Sequence, residues 1–416
     1  MMKYYFFTLR DFKKEVGENV RMYGMLNSLA AQGHEVVFLS NAEDYKSFHP
    51  AIQQVCIGYD FQEKRKMQGL LALFPASVVY QQFRPLFSKI EAAIERAGVG
   101  RMPVCFFDYM DNTIGYLLKA KGIIQSYVND IHGISTIEQS YQRSIASSSY
   151  QRLVHSWKYF LVNSLDRKVF EGAAGLIYGS SSMQKYYEQM YRLDGKQSFV
   201  IPYLVGDDAL KRQPDAARQR ELKAELGLTE QDFVVLFIGT YKQTGGMDDL
   251  IKAFDLLHRD IAASKLIMIG GGPIKDDCVK LAQQLPAADA IHFISHIPYA
   301  EMATYQSLAH VIVCPDKENP FSQHVVHVKY FDALISGRLV INGAFDSVKE
   351  INKNEELSLT FKPSDVADLH AKLAYCRDHY EELCRKYAGV KEYMAQHLTY
   401  NAYVKNLRFN TTPSSN

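Results

Sequence analysis

The sequence lacks the usual ligand-binding signatures. No Asp-x-Asp triplet occurs in its 416 residues, so the close carboxylate pair that commonly holds Mg²⁺ or Mn²⁺ against a diphosphate is missing. There is no HExxH helix and no Gly-x-Ser-x-Gly elbow. Gly270-Gly271-Gly272-Pro273 does not meet the GxGxxG fingerprint, which disfavours a nicotinamide dehydrogenase. The six cysteines (Cys56, Cys105, Cys278, Cys314, Cys376 and Cys384) show no CxxC spacing and several sit in apolar runs. They read as buried, reduced thiols of a cytoplasmic protein, not as disulfides or metal ligands. No run approaches the roughly 18 apolar residues that span a bilayer. Met1-Met2-Lys3-Tyr4 passes into a strand-like stretch without the order of a signal peptide. An excess of either charge is also missing: Lys and Arg number 47 against 46 Asp and Glu, so nucleic acid is not an expected partner.

What is present is a double series of short apolar runs separated by helix-patterned segments. The strands expected are Tyr4–Thr8, Val36–Ser40, Val104–Asp108, Tyr127–Asp130, Leu176–Gly179 and Phe199–Ile201. After a polar interval come Val234–Gly239, Leu266–Gly270, Ile291–Ile294, Val311–Cys314 and Leu339–Ile341. Most are continuously apolar, as strands of a parallel sheet covered on both faces must be. The fold class expected is α/β, with two Rossmann-like, doubly wound parallel-sheet domains facing a central cleft. The boundaries expected are 1–204 for the first domain, 205–392 for the second, and 393–416 for a C-terminal helical segment crossing back to the first.

Ligands of open parallel sheets sit outside the carboxyl ends of the strands, which selects the loops to read. Gly17, Glu18 and Asn19 open a helix after the first strand, as a phosphate-accepting turn or as a plain cap. Gly239, Thr240 and Lys242 belong to a polar, glycine-containing loop able to wrap a diphosphate, and Gly271 allows close approach to the backbone. After Val311–Cys314 the densest group follows: Phe321, Ser322, Gln323, His324 and Val325, then Lys329 and Asp332 on one helix face. The backbone at 322–325 would hold phosphate and Asp332 a ribose diol; the alternative is a surface ion pair of little energetic weight. In the first half, Asp130 and His132 end a strand with an acid and an imidazole, either as catalytic groups or as structural ones.

These stretches together resemble retaining glycosyltransferases of family 4, whose fold is termed GT-B. FVVLFIGTYKQTGGMDDLIKAF, LIMIGGGP, IHFISHIPYAEMATYQSLAHVIVCPD and KYFDALISGRLVI are similar to the family's second domain. GENVRMYGMLNSLAAQGHEVVFLS and IYGSSSMQKYY are similar to its first. The resemblance implies a hexosyltransferase that moves a sugar from a nucleoside diphosphate sugar to an acceptor hydroxyl with retention, without metal or other cofactor, in cell-surface polysaccharide or other glycan synthesis. It sets Asp332 where the second glutamate of a Glu-x7-Glu pair binds ribose, and Asp130 with His132 near the acceptor. The sequence departs from the family elsewhere. His324 stands at the place of the first glutamate, and the basic diphosphate clamp falls near Thr240 and Gly245, leaving Lys242 as the nearby cation. Two other readings stay open for that reason: a non-catalytic protein that binds a sugar nucleotide, and a nucleotide-sugar epimerase.

Residues 64–87 join the basic Lys64, Arg65 and Lys66 to an apolar and aromatic run. They suit either a core helix with a solvated basic end or contact with the inner face of an anionic membrane, where a glycan or lipid-linked acceptor would be met.

Overall fold

The computed structural model describes residues 1–10, 17–41 and 48–409. The chain divides into two compact units, Met1–Pro202 with the segment from Tyr400, and Tyr203–Thr399.

The first unit is built on β1 (Lys3–Phe7), β2 (Glu35–Ser40), β3 (Ile52–Cys56), β4 (Val104–Phe107), β5 (Tyr127–Ile131), β6 (Gly175–Tyr178) and β7 (Gln197–Val200). All pairs are parallel, in the order β3-β2-β1-β4-β5-β6-β7. Its helices are α1 (Gly17–Ala31), α2 (Phe61–Leu71), α3 (Ala76–Gln82), α4 (Arg84–Ala97), α5 (Asp108–Ala120), α6 (Ser135–Ser144), α7 (Ser149–Gly172) and α8 (Ser181–Met190). Starts and stops follow local chemistry. The Ser180 hydroxyl accepts from Met183 N–H to cap α8, and Gly98, at φ 64°, closes α4 in the left-handed region.

The second unit carries β8 (Phe233–Ile238), β9 (Ser264–Ile269), β10 (Ile291–Ile294), β11 (Val311–Cys314), β12 (Leu339–Gly343) and β13 (Leu359–Phe361), in the order β10-β9-β8-β11-β12-β13, again all parallel. Its helices are α9 (Asp207–Lys211), α10 (Ala216–Glu225), α11 (Met247–Asp260), α12 (Lys275–Gln283), α13 (Met302–Gln306), α14 (Val328–Leu334), α15 (Asp346–Asn352), α16 (Val366–Asp378), α17 (Tyr380–Lys386) and α18 (Val390–His397). The chain then returns to the first unit as α19 (Tyr400–Val404), where the Tyr400 ring lies on Gly24 of α1: a Cβ there would come within 1.9 Å of it. Beyond α19, the Tyr4 hydroxyl donates to Leu407 O at 2.6 Å and the rings of Tyr4 and Phe409 meet edge-on at 5.5 Å.

The doubly wound α/β class expected from the sequence is the one observed. Two strands escaped the pattern, β3 and β13, and both are edges. β3 carries Gln53 and Gln54, and β13 is three residues long, so neither shows a continuous apolar run. All six cysteines are free thiols. Residues 64–87 are not one surface helix. They break into α2, α3 and the start of α4, and Met67, Leu71, Val79, Leu86 and Phe87 go into the core.

Candidate functional site

Each sheet reverses its winding once, between β1 and β4 in the first unit and between β8 and β11 in the second. Loops diverge at such a point and leave a crevice at the carboxyl ends of the strands.

In the first unit the crevice is lined by charge that is almost wholly consumed internally. Asp111 is buried, accepting from the Thr8 hydroxyl at 2.6 Å and from Leu9 N–H at 3.2 Å. Burial, and then the neighbouring Asp108, push its carboxyl well above the ordinary range. Asp108 pairs with Arg10 and holds φ 64°, a left-handed conformation that a non-glycine residue adopts only when its surroundings enforce it. Asp130, at the end of β5, is fully buried: Arg21 Nε and Nη2 reach its two oxygens at 2.8 and 2.5 Å, and His132 Nε2 lies 2.8 Å from Oδ2. Burial alone would raise this carboxyl, but Arg21 and then His132 outweigh it and hold it well below the usual carboxylate range. Arg21, itself fully buried, also donates to the carbonyls of Ile201 and Pro202.

This arrangement corrects the reading of Asp130 as a catalytic group. Both oxygens are taken and none of its surface is exposed, which leaves it placed to orient His132 but not to touch a ligand directly. The imidazole is nearly buried; burial lowers its pKa, against the attraction of Asp130, so the neutral ring dominates near pH 7. With Nε2–H turned to Asp130, Nδ1 carries the lone pair. Of the helix-start group, α1 begins at Gly17 and Asn19 is buried, while the Glu18 side chain lies outside the described residues.

In the second unit three loops meet backbone to backbone. A Cβ on Gly270 would lie 2.0 Å from Gly239 O, one on Gly272 2.3 Å from Tyr241 O, and one on Gly246 1.9 Å from Pro315 O. Glycine is therefore required where the loops after β8, β9 and β11 cross. Gly271, between two of these contacts, faces open space. Among the described residues, the N–H groups of Thr240 and Gly271 take no partner. Two lysines and an imidazole gather on the same edge. Lys329 of α14 runs its stem over Gly239 and reaches Asp316 Oδ2 at 2.6 Å; Lys242 and His327 approach Oδ1, each at 3.9 Å. Burial would raise Asp316, but Lys329, then His327 and Lys242, pull its carboxyl below the ordinary value.

The group after β11 divides. Ser322 N–H donates to Asn319 Oδ1, and the N–H groups of His324 and Val325 both donate to Phe321 O. Gln323 Oε1 accepts from Asp346 N–H at the start of α15. The expectation that the backbone at 322–325 presents its donors to a phosphate fails at 322, 324 and 325, because the loop uses them to close its own turn. Lys329 and Asp332 also go to different partners. Asp332 accepts from the Tyr299 hydroxyl at 3.1 Å and lines a cavity of about 80 Å³ with Arg212, Gln306, Arg338 and Lys391. Burial raises its carboxyl to about 6 despite Tyr299 and Arg212.

Sequence reasoning missed Arg10, Arg21, Asp108, Asp111 and Asp316. The signal for the first four was the register of β1 with β4 and of β4 with β5, which brings distant segments to one edge.

Residues 218–388 match the family described as glycosyl transferases group 1. Among curated proteins, the chain is 26% identical over 186 residues to alpha-monoglucosyldiacylglycerol synthase of Acholeplasma laidlawii, covering 42% of this chain and 46% of that one. It is 24% identical over 223 residues to the GDP-mannose-dependent alpha-(1-6)-phosphatidylinositol monomannoside mannosyltransferase of Mycobacterium tuberculosis, covering 52% and 57%. The match thus spans about half the length of these relatives. Among solved structures, sucrose-phosphate synthase from Thermosynechococcus elongatus superposes with a TM-score of 0.69 at 18% identity over 96% of this chain and 95% of that one. Anabaena HepE in complex with UDP-glucose gives 0.66 at 12% identity, over 96% of each. The second unit thus carries the group 1 match, and the chain as a whole has the two-domain GT-B fold of these solved structures.

Proposed function

We propose that this protein transfers a glycosyl group from a nucleoside diphosphate sugar to an acceptor hydroxyl on a glycan or lipid-linked molecule. The observation that carries the proposal is the coincidence of the group 1 match with the unit whose β8, β9 and β11 loops are locked together by glycines beside Lys242 and Lys329. In this reading the Thr240 and Gly271 N–H groups and the Lys242 ammonium take the diphosphate, where charge grows as the glycosidic bond breaks. The cations and dipoles replace a metal in this role. Asp332 holds the ribose hydroxyls, and the neutral His132, oriented through Asp130, takes a hydrogen bond from the acceptor. Retention follows from the family resemblance.

The test is release of nucleoside diphosphate from a panel of UDP-, GDP- and ADP-sugars, with and without glycolipid acceptors. UDP-glucose and GDP-mannose head the panel because HepE was solved with UDP-glucose and the mycobacterial mannosyltransferase is GDP-mannose-dependent. Turnover is expected with one base. Tight donor binding without turnover would instead favour a sugar-nucleotide-binding protein, a reading supported by the non-basic Thr240 and Gly245 at the clamp positions. A 2-epimer formed without acceptor would identify an epimerase. Asp332→Ala is expected to raise the donor KM; an unchanged value would remove Asp332 from the ribose site.

A further inference from the structure

Among the described residues, eleven large hydrophobic side chains are exposed, and seven of them lie in just two segments of the first unit. One is the turn joining α2 to α3, with Leu73 and Phe74. The other is the α6–α7 hairpin, where Tyr150, Leu153, Trp157 and Phe160 are 75, 69, 48 and 61% exposed. The spacing of the last four, i, i+3, i+7 and i+10, puts them in one stripe along α7. The two segments touch: Trp157 Nε1 donates to Leu73 O at 3.0 Å, which satisfies the indole N–H while leaving its ring half outside.

Charge separates the possible occupants. The chain as a whole is balanced, 47 cations against 46 acids, yet residues 64–90 contain no Asp or Glu and five Lys or Arg. Residues 139–165 likewise contain no acid, with Arg143, Arg152 and Lys158. A face for a second copy of this balanced chain has no need to exclude acids so completely. A phosphate-rich, apolar-cored surface needs both features at once: cations for the headgroups and aromatic or aliphatic side chains for the acyl boundary. We infer that the α7 stripe and the α2–α3 turn together form a docking face for an anionic lipid bilayer. The face differs from the membrane contact weighed at 64–87, because most of the apolar residues of that stretch are spent on the core and α7 supplies the exposed ones. It stands whether or not the donor reading is right.

Trp157 is the single tryptophan of the sequence, so the native protein carries its own probe on the proposed face. The full chain is mixed with vesicles of equimolar phosphatidylcholine and phosphatidylglycerol, and with vesicles of phosphatidylcholine alone. Co-sedimentation with the anionic vesicles, a blue shift of the tryptophan emission and quenching by brominated acyl chains are expected. Binding should weaken in high salt, since most of the cations are exposed. Arg143→Gln, Arg152→Gln and Lys158→Gln combined should lower partitioning about 100-fold, at about fivefold for each cation near an anionic surface. Leu153→Gln with Phe160→Gln should abolish the bromolipid quenching while circular dichroism and melting temperature stay unchanged. Absence of co-sedimentation overturns the inference. So does co-sedimentation with an unshifted emission, which would put the contact elsewhere. An emission shift that tracks self-association in sedimentation velocity, without lipid, would make the occupant a second copy and also overturn it.

Discussion

Arg21 offers a sharp test of how the first domain is organised. It is fully buried, spans both oxygens of the fully buried Asp130, and donates to the carbonyls of Ile201 and Pro202. Arg21→Met keeps much of the aliphatic volume but strands a carboxylate in the interior with His132 as its remaining ionisable partner. Removing one member of a buried pair costs about 3–5 kcal/mol, because the other stays desolvated. In the wild type the carboxyl is held below its unfolded value, so the pair contributes stability above pH ~3.9 that is lost in acid. Without the guanidinium, burial dominates and the folded value rises above the unfolded one. The penalty is then greatest near pH 8 and shrinks as pH falls toward 5 and Asp130 takes up a proton. Urea denaturation at both values, followed by circular dichroism for Arg21→Met, Asp130→Asn and the double variant, reads this directly. The double variant should lose less than the sum of the single losses, by at least about 2 kcal/mol. A loss in Arg21→Met that is equal at the two pH values, together with additive singles, would refute the reasoning.

Three further outcomes are expected. Asp166, buried in α7 with the Tyr191 hydroxyl at 3.4 Å, is raised by burial to about 7. Its folded value lies above the unfolded one, so stability falls as pH rises from about 4 to 7, by roughly 4 kcal/mol at most; Asp166→Asn should flatten that part of a stability–pH curve. Gly246→Ala forces a Cβ to 1.9 Å from Pro315 O at φ 68° and should destabilise by about 2 kcal/mol or more, whereas Gly271→Ala, with open space around it, should change the melting temperature little. Lys329→Met uncovers the negative charge of Asp316 and should weaken UDP or GDP binding in calorimetry about tenfold or more, about 1.4 kcal/mol; adding Asp316→Asn should restore part of it.

The sheets were legible because a strand buried on both faces writes itself as an uninterrupted apolar run, as in Val104–Phe107 or Val311–Cys314. Edges were not, since an edge strand is covered less completely and Gln53 and Gln54 of β3 stay exposed and half-buried on its two faces. In the site, the loops carrying Gly239, Lys242 and Lys329 could be chosen from their position after strands. The partner of Lys329 could not: Asp316 reads in sequence as one more polar loop residue, and only its depth shows that it must be compensated. Arg21 was hidden for the same reason, since an arginine on an amphipathic helix is ordinarily solvated. The stripe on α7 drew no reading from the sequence, because its spacing is that of any helix facing a core and periodicity carries no information about what lies opposite.

The return of the chain at Tyr400 has a consequence for biosynthesis. The ribosome releases Met1–Pro202 first, but the segment that covers Gly24 and receives the Tyr4 hydroxyl is made only after the whole of Tyr203–Thr399 has emerged. During that interval the earlier-made unit must wait with one helix uncovered, while the later-made unit, contiguous in sequence, can close on itself at once. Order of manufacture and order of completion are therefore inverted. A chain truncated just before Tyr400 would carry a finished second domain joined to an unfinished first one.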